Sequence, residues 1–136
     1  MKSILLDTNG FVALFKGDQS VLEELALADC VYASVIAIGE LEAGFRGGSK
    51  YRKNIEILER FLSKPTVETL QVTRETSDYF GRIKNALKKK GTPIPLNDVW
   101  LSAHCLEKAA VLITYDRHFS HVPGLRMWHN IDPEIS

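Results

Sequence analysis

The chain has 136 residues, 45% of them hydrophobic, and Lys plus Arg equals Asp plus Glu at 17 each. One domain spanning 1–136 is expected, with enough apolar material for a core that needs neither disulfides nor a structural zinc. The even charge excludes a globally basic nucleic-acid binder but leaves room for a basic patch beside an acidic site.

Ile4 to Leu6 is a short apolar run that reads as a buried strand. Gly17-Asp18 breaks the chain, and Asp18 can cap a helix over 19–28 carrying Val21, Leu22, Leu25 and Leu27. Val31-Tyr32-Ala33 reads as a second strand, with Ser34 capping a helix that ends near Gly44-Phe45. After the Gly47-Gly48-Ser49 break, Ile55, Leu58, Phe61 and Leu62 fall at helical spacing until Pro65 closes the element. Val67 to Val72 is read as a strand, although Glu68 and Gln71 fit it poorly.

Thr73 is placed to cap a helix whose buried stripe is Tyr79, Phe80, Ile83 and Leu87. That helix ends in Lys88-Lys89-Lys90-Gly91, a cationic last turn followed by a glycine stop. Thr92-Pro93-Ile94-Pro95 must be extended. A further helix from about Asp98 to Lys108 leads to a strand over Val111 to Thr114. Strands alternating with helices predict an α/β fold around a central parallel sheet, with right-handed crossovers and ligands at the C-terminal strand edge.

Cys30 and Cys105 have no metal-ligand spacing and read as two buried free thiols. The N-terminal apolar run stops at Asp7, too short for a signal peptide or a membrane span, so a soluble cytoplasmic setting is expected.

Four acids stand out. Asp7 follows the first strand directly and Asp116 lies just beyond the last, which puts both at the carboxyl edge of the sheet. Thr114 projects to the same side as Asp116 if the strand's alternation continues, and can bond a carboxylate or a bound water. Asp98, next to Asn97, stands at the mouth of a helix, where an acid also serves as a cap or complements the helix dipole. Glu40 lies in a helix otherwise marked by Ile36, Ile38, Leu41 and Phe45, with small Ala37 and Gly44 at helical spacing. It is either a solvated helix edge or an acid among apolar groups, which must be paired, protonated or metal-bound. Carboxylates gathered in one pocket repel unless a cation is present, and oxygen-rich sites suit Mg²⁺ or Mn²⁺. No GxSxG, P-loop, HExxH or EF-hand pattern competes with this set.

The runs Leu6-Asp7-Thr8-Asn9, Ile38-Gly39-Glu40-Leu41, Pro95 through Ala103, and Leu112 through Phe119 occur in the order of the four signature segments of PIN domains. Together with Val122-Pro123-Gly124-Leu125 they cover essentially the whole chain. The chain resembles that family, and within it the VapC toxins of type II toxin–antitoxin pairs. The resemblance implies a three-layer α/β/α fold and Mg²⁺- or Mn²⁺-dependent cleavage of RNA. Asp7, Glu40, Asp98 and Asp116 match its acidic quartet, which implies that they are its catalytic and metal-binding residues. Thr114 matches its supporting hydroxyl, and Asn9 a polar position beside the first acid. A homodimer and a VapB-like antitoxin that blocks the site are implied with it.

Lys84, Lys88, Arg46, Lys50 and Arg117 are candidates for the RNA backbone, each with a solvated or ion-paired alternative. His118 and His121 are three apart without a third ligand, so their spacing assigns them no metal. His104 reads as a satisfied, partly buried histidine, and Trp100 and Trp128 as core or interface anchors. Thr8 has no general base at a fixed spacing and so no case as a nucleophile. The alternatives are a PIN nuclease of RNA processing without an antitoxin, a phosphotransfer domain resembling haloacid-dehalogenase phosphatases, and a non-catalytic cation-binding module. The second fits poorly, because Asn9 replaces the second acid of its Asp-x-Asp pattern.

Overall fold

The structure, a computed structural model, describes residues 1–128. Five strands form one sheet: β1 (Ser3–Leu6), β2 (Cys30–Ser34), β3 (Val67–Leu70), β4 (Val111–Ile113) and β5 (Arg126–Met127). Their order is β3-β2-β1-β4-β5 and every neighbouring pair is parallel. The helices among the described residues are α1 (Thr8–Phe15), α2 (Gln19–Leu27), α3 (Val35–Arg46), α4 (Tyr51–Leu62), α5 (Arg74–Lys90) and α6 (Leu96–Glu107).

Successive side chains of a strand point to opposite faces, yet Ile4, Leu5 and Leu6 are all fully buried. Both faces of the central strand are therefore covered by helices, giving the expected three-layer α/β/α arrangement. A triangle of Phe11, Phe15 and Phe61 joins α1 to α4, with Phe61 meeting each of the other two rings edge-on. Phe80 stacks on Trp100 with ring centroids 4.0 Å apart, locking α5 to α6.

The chain leaves β1 toward β2 on one side, and β4 adds on the other. The gap beyond the C-terminal ends of β1 and β4 is thus the topological switch point, where open parallel sheets hold their ligands. Leu6 pairs in register with Ile113, so the next residues of both strands leave the sheet side by side.

Local signals set most boundaries. Asp18 accepts from the Val21 N–H, Ser34 from the Ile36 N–H and Thr73 from the Thr76 N–H, each satisfying an otherwise orphaned helix donor. Gly91 ends α5 in the left-handed conformation at φ 70°.

Several expectations need correction. Residues 8–15, where the sequence pattern placed no element, form α1. The last helix begins at Leu96 rather than Asp98, with Pro95 as its cap residue, so Asp98 is no helix cap. The strand expected over Val67 to Val72 stops at Leu70. Two-residue β5 was not foreseen. Cys105 is buried, and burial pushes its thiol up to about 12, but Cys30 is only partly covered. Positions 129–136 of the expected 1–136 domain lie outside the described residues.

Candidate active site

Asp7 lies at the end of β1 and serves as the N-cap of α1. Its Oδ1 accepts from the Gly10 N–H at 2.6 Å, and its Oδ2 from the Thr114 hydroxyl at 2.5 Å. The side chain is only 3% exposed. Burial pushes its carboxyl up to about 6. The charges of Asp98 and Asp116 add to that rise, while the bonds from Thr114 and Gly10 resist it. Gly10 is needed for steric reasons: a Cβ there would stand 2.7 Å from the Ile113 carbonyl oxygen. Close contact between α1 and the end of β4 is what brings Asp7 within reach of Thr114.

Thr114, buried just past β4, bonds Asp7 and accepts the Asp116 N–H at 2.9 Å. Trp128 donates its indole N–H to the Thr114 carbonyl at 2.6 Å, fixing this segment from behind. Asp116 then caps a 3₁₀ turn, Arg117–His121, by accepting from the His118 N–H at 3.2 Å. Buried Phe119 anchors that turn in the core.

The turn swings the His118 ring back between two acids. Its Nε2 lies 2.6 Å from Asp98 Oδ2 and its Nδ1 2.8 Å from Asp116 Oδ1. Asp98, in the first turn of α6, is half-buried, and its carboxyl is raised mainly by that burial. The neighbouring charges of Glu40 and Asp116 raise it further, while the His118 bond opposes them. Glu40 on α3 is not enclosed by apolar groups. It is partly exposed, takes the Thr8 hydroxyl on Oε1, and accepts from the Asn97 amide at 3.2 Å on Oε2.

All four predicted acids and Asn9 line one cleft of about 450 Å³, together with Thr8, Pro95, Leu96, Asn97 and His118. Ligand atoms of Asp98, Asp116 and His118 lie within 4.8 Å of one another. Hard carboxylate oxygens plus one imidazole, several of them crowded and partly desolvated, fit a divalent cation.

Gly10 escaped the sequence reading, Asn97 was noted without a role of its own, and Thr8 and His118 were weighed and set aside. The histidine was dismissed for want of a third ligand, and the fold supplies two carboxylates. The predicted cations do not join the acids: Arg46, Lys50, Lys84, Lys88 and Arg117 are all exposed and none lines the cleft. Arg46 pairs with Glu42 and packs over the Tyr51 ring. Lys84 and Lys88 flank a separate recess with Leu87, Pro93, Ile94 and Val99.

His104 is buried and satisfied as expected. Its Nε2 donates to the Gln71 carbonyl at 3.0 Å, which leaves Nδ1 to accept the Ser34 hydroxyl at 2.9 Å. Trp100 packs in the α5–α6 seam.

A five-stranded parallel sheet in this order is a fold shared by known proteins. The chain belongs to the PIN domain family, whose profile matches residues 4–125. Within that family it is VapC-like. It is 32% identical to the Ribonuclease VapC1 of Haemophilus influenzae, over 90% of this chain and 93% of that protein. The structure of VapBC2 from Rickettsia felis, bound to a promoter DNA fragment, superposes with TM-score 0.83 at 28% identity, covering 92% of this chain and 96% of that one. VapBC-1 from nontypeable Haemophilus influenzae gives TM-score 0.81 at 30% identity, with the same coverage of both chains.

Proposed function

We propose that this protein is a Mg²⁺- or Mn²⁺-dependent endoribonuclease and the toxin of a VapBC-type pair. The observation that carries the reading is the convergence of Asp7, Asp98 and Asp116, with Asp7 and Asp98 raised by burial and by neighbouring charge. Carboxyls held this close and this dry destabilise the empty fold, and a site that binds a cation explains why they persist. The relatives' ribonuclease name points to RNA as the substrate.

A divalent ion bound here would supply positive charge to a phosphodiester in transit and lower the pKa of a nearby water. Asp7, Asp98, Asp116 and Glu40 are the residues that would hold it. Thr114 and the Gly10 N–H fix both Asp7 oxygens, so the carboxylate keeps one orientation through the reaction. Glu40, braced by Thr8 and Asn97, faces the cleft and can take the proton of the attacking water. The exposed Asn9 side chain and the Asn97 amide offer polar contacts to the strand being cut.

The kinship with VapBC proteins supports a VapB-like antitoxin and a homodimer. An apolar recess of about 540 Å³, lined by Leu14, Phe15, Leu22, Leu25, Ile57 and Phe61 among others, is a surface such a partner would cover. No helix among the described residues is long and apolar enough to cross a membrane, which accords with a toxin working in the cytoplasm.

The test is incubation of purified, partner-free protein with a broad panel of structured RNAs. Cleavage in Mg²⁺ or Mn²⁺ that stops in chelator is the expected result. A panel left uncut in both metals overturns the reading.

A further inference from the structure

We propose that the recess bounded by Lys84, Leu87, Lys88, Pro93, Ile94 and Val99 is a second subsite for the RNA strand. Its apolar floor takes the base of a nucleotide beside the cut bond, and its two lysines take that nucleotide's phosphate. This subsite rests on the reading of the acidic cleft as a ribonuclease site and adds where the strand is held next to it.

The need for it follows from charge. Four carboxylates line the cleft, so a polyanion gains no affinity there beyond what a bound cation supplies. Affinity for the strand must come from cations outside the cleft. Ile94 lines the recess and the next residue, Pro95, lines the cleft, so one extended segment borders both hollows. The Cα atoms of Pro93 and Leu96 are at most about 11 Å apart. A strand leaving the acids therefore reaches the recess within about one or two nucleotides.

Neither lysine is neutralised within the described structure. Lys84 and Lys88 lie one helical turn apart on α5 and border the same recess, a like-charged pair that repels. The residues three and four away from Lys84 are Phe80, Gly81, Leu87 and Lys88, none of them an acid. Among the described residues neither ammonium forms an ion pair, whereas Arg82 on the same helix pairs with Asp78 at 2.6 Å. The helix dipole favours cations in the last turn, which accounts for Lys88 but not for Lys84. A phosphate seated between the two relieves their repulsion.

The recess is small and already built. Its volume is about 200 Å³, below the ~300 Å³ at which pockets for larger ligands begin, which suits one planar base. Leu87, Ile94 and Val99 are buried and form a fixed floor, with the exposed Pro93 ring at the rim. Gly91, left-handed at φ 70°, turns the chain, and the Thr92 N–H bonds the Leu87 carbonyl at 3.0 Å. Pro93 and Pro95 then stiffen the segment. A floor of this kind meets the face of any base, so the subsite grips the strand without choosing its sequence. A second copy of the chain fits it less well, because lysine is depleted in protein interfaces.

The test uses the full-length protein in chelator, so that binding is read without cleavage, and a short fluorescein-labelled oligouridylate as probe. Anisotropy compares wild type, Lys84→Gln/Lys88→Gln and a control, Lys16→Gln/Lys64→Gln, an exposed pair on other surfaces. The first variant should lose about tenfold in affinity, and the control little. Its slope of log affinity against log salt should be shallower by about 0.7, the share of one phosphate. Lys84→Arg/Lys88→Arg should bind as wild type does. NMR titration of wild type with the same probe should shift the amides of Leu87, Lys88, Ile94 and Val99, a readout that needs no variant to fold. With Mg²⁺ or Mn²⁺ restored, the glutamine variant should lose cleavage through a higher KM. Probe binding that leaves those amides unmoved, or equal losses from the two glutamine pairs, overturns the inference. Wild type that cuts RNA but leaves the probe unbound at low salt overturns it alone, with the ribonuclease reading intact. A changed oligomeric state of Lys84→Gln/Lys88→Gln in light scattering, with RNA affinity unchanged, also overturns it and marks the recess as a protein interface. If wild type neither binds the probe nor cuts any RNA, both readings fall together.

Discussion

Replacing Asp7 with Asn should stabilise the metal-free protein, and the size of the effect follows from the burial of one carboxyl. Asp7 ionises near 6 in the fold, against 3.8 in the unfolded chain. Between about pH 4 and pH 6 the folded state keeps a proton that the unfolded state has released, so stability falls as pH rises through that window. Above pH 6 the full cost is present, about 3 kcal/mol from the distance between the two values. Asparagine carries no charge to desolvate. Its Oδ1 can still accept from the Gly10 N–H, and its amide can donate to Thr114 Oγ1. Part of the gain is lost with the stronger charge-assisted bonds, leaving about 1–3 kcal/mol, or roughly 4–12 °C in melting temperature. Urea unfolding in chelator at pH 4.5, 6 and 8 reads this directly. The two proteins should converge at pH 4.5, with the variant ahead at pH 8. A variant less stable at pH 8, or an offset independent of pH, would show that burial of the Asp7 charge is not what costs the fold its stability. Saturating metal should reverse the order, since a hundredfold excess over Kd stabilises wild type by about 2.7 kcal/mol.

Thr114→Val removes the hydroxyl that serves both Asp7 and the Asp116 N–H. The Asp7 carboxyl should titrate higher still by NMR, and cleavage should fall about tenfold to a hundredfold. An unmoved Asp7 titration contradicts that linkage. Gly10→Ala gains helix propensity but drives a Cβ to 2.7 Å from a backbone oxygen. The clash should win, costing about 1–3 kcal/mol in urea unfolding, and a stabilised variant would show that α1 can shift freely. His104→Leu strands the Ser34 hydroxyl and the Gln71 carbonyl and should cost about 1–3 kcal/mol. In wild type, burial lowers the His104 pKa, so the unfolded state takes up the proton first. Stability from this residue should therefore be lost as pH falls below about 6.5 and be regained above it. A pH profile identical in wild type and variant contradicts it.

What could be read from the chain was what is local. Asp18, Ser34 and Thr73 cap helices through bonds that span two or three residues, and the residue types announce them. Asp7 and Asp116 were placed at the sheet edge because apolar runs precede them. Helix α1 was not legible, because Asn9-Gly10 looks like a turn and its glycine answers to Ile113, far along the chain. Strand β5 is two residues long and has no period to detect.

Glu40 was judged by its helix neighbours. Its partners, Thr8 and Asn97, are 32 and 57 residues away, and they make it a braced cleft residue rather than an acid among apolar groups. Asp98 read locally as a cap, a role Pro95 holds instead, which leaves its carboxylate free for His118. That histidine was sought as a pair with His121. Its real company is two acids, one of them 20 residues upstream.

Whether these acids cut RNA is decided by mapping RNA 5′ ends after brief induction, comparing wild type with Asp7→Asn at equal protein level. New ends confined to discrete sites and present only with wild type are predicted. The same ends from Asp7→Asn, or none from either protein, would contradict the account.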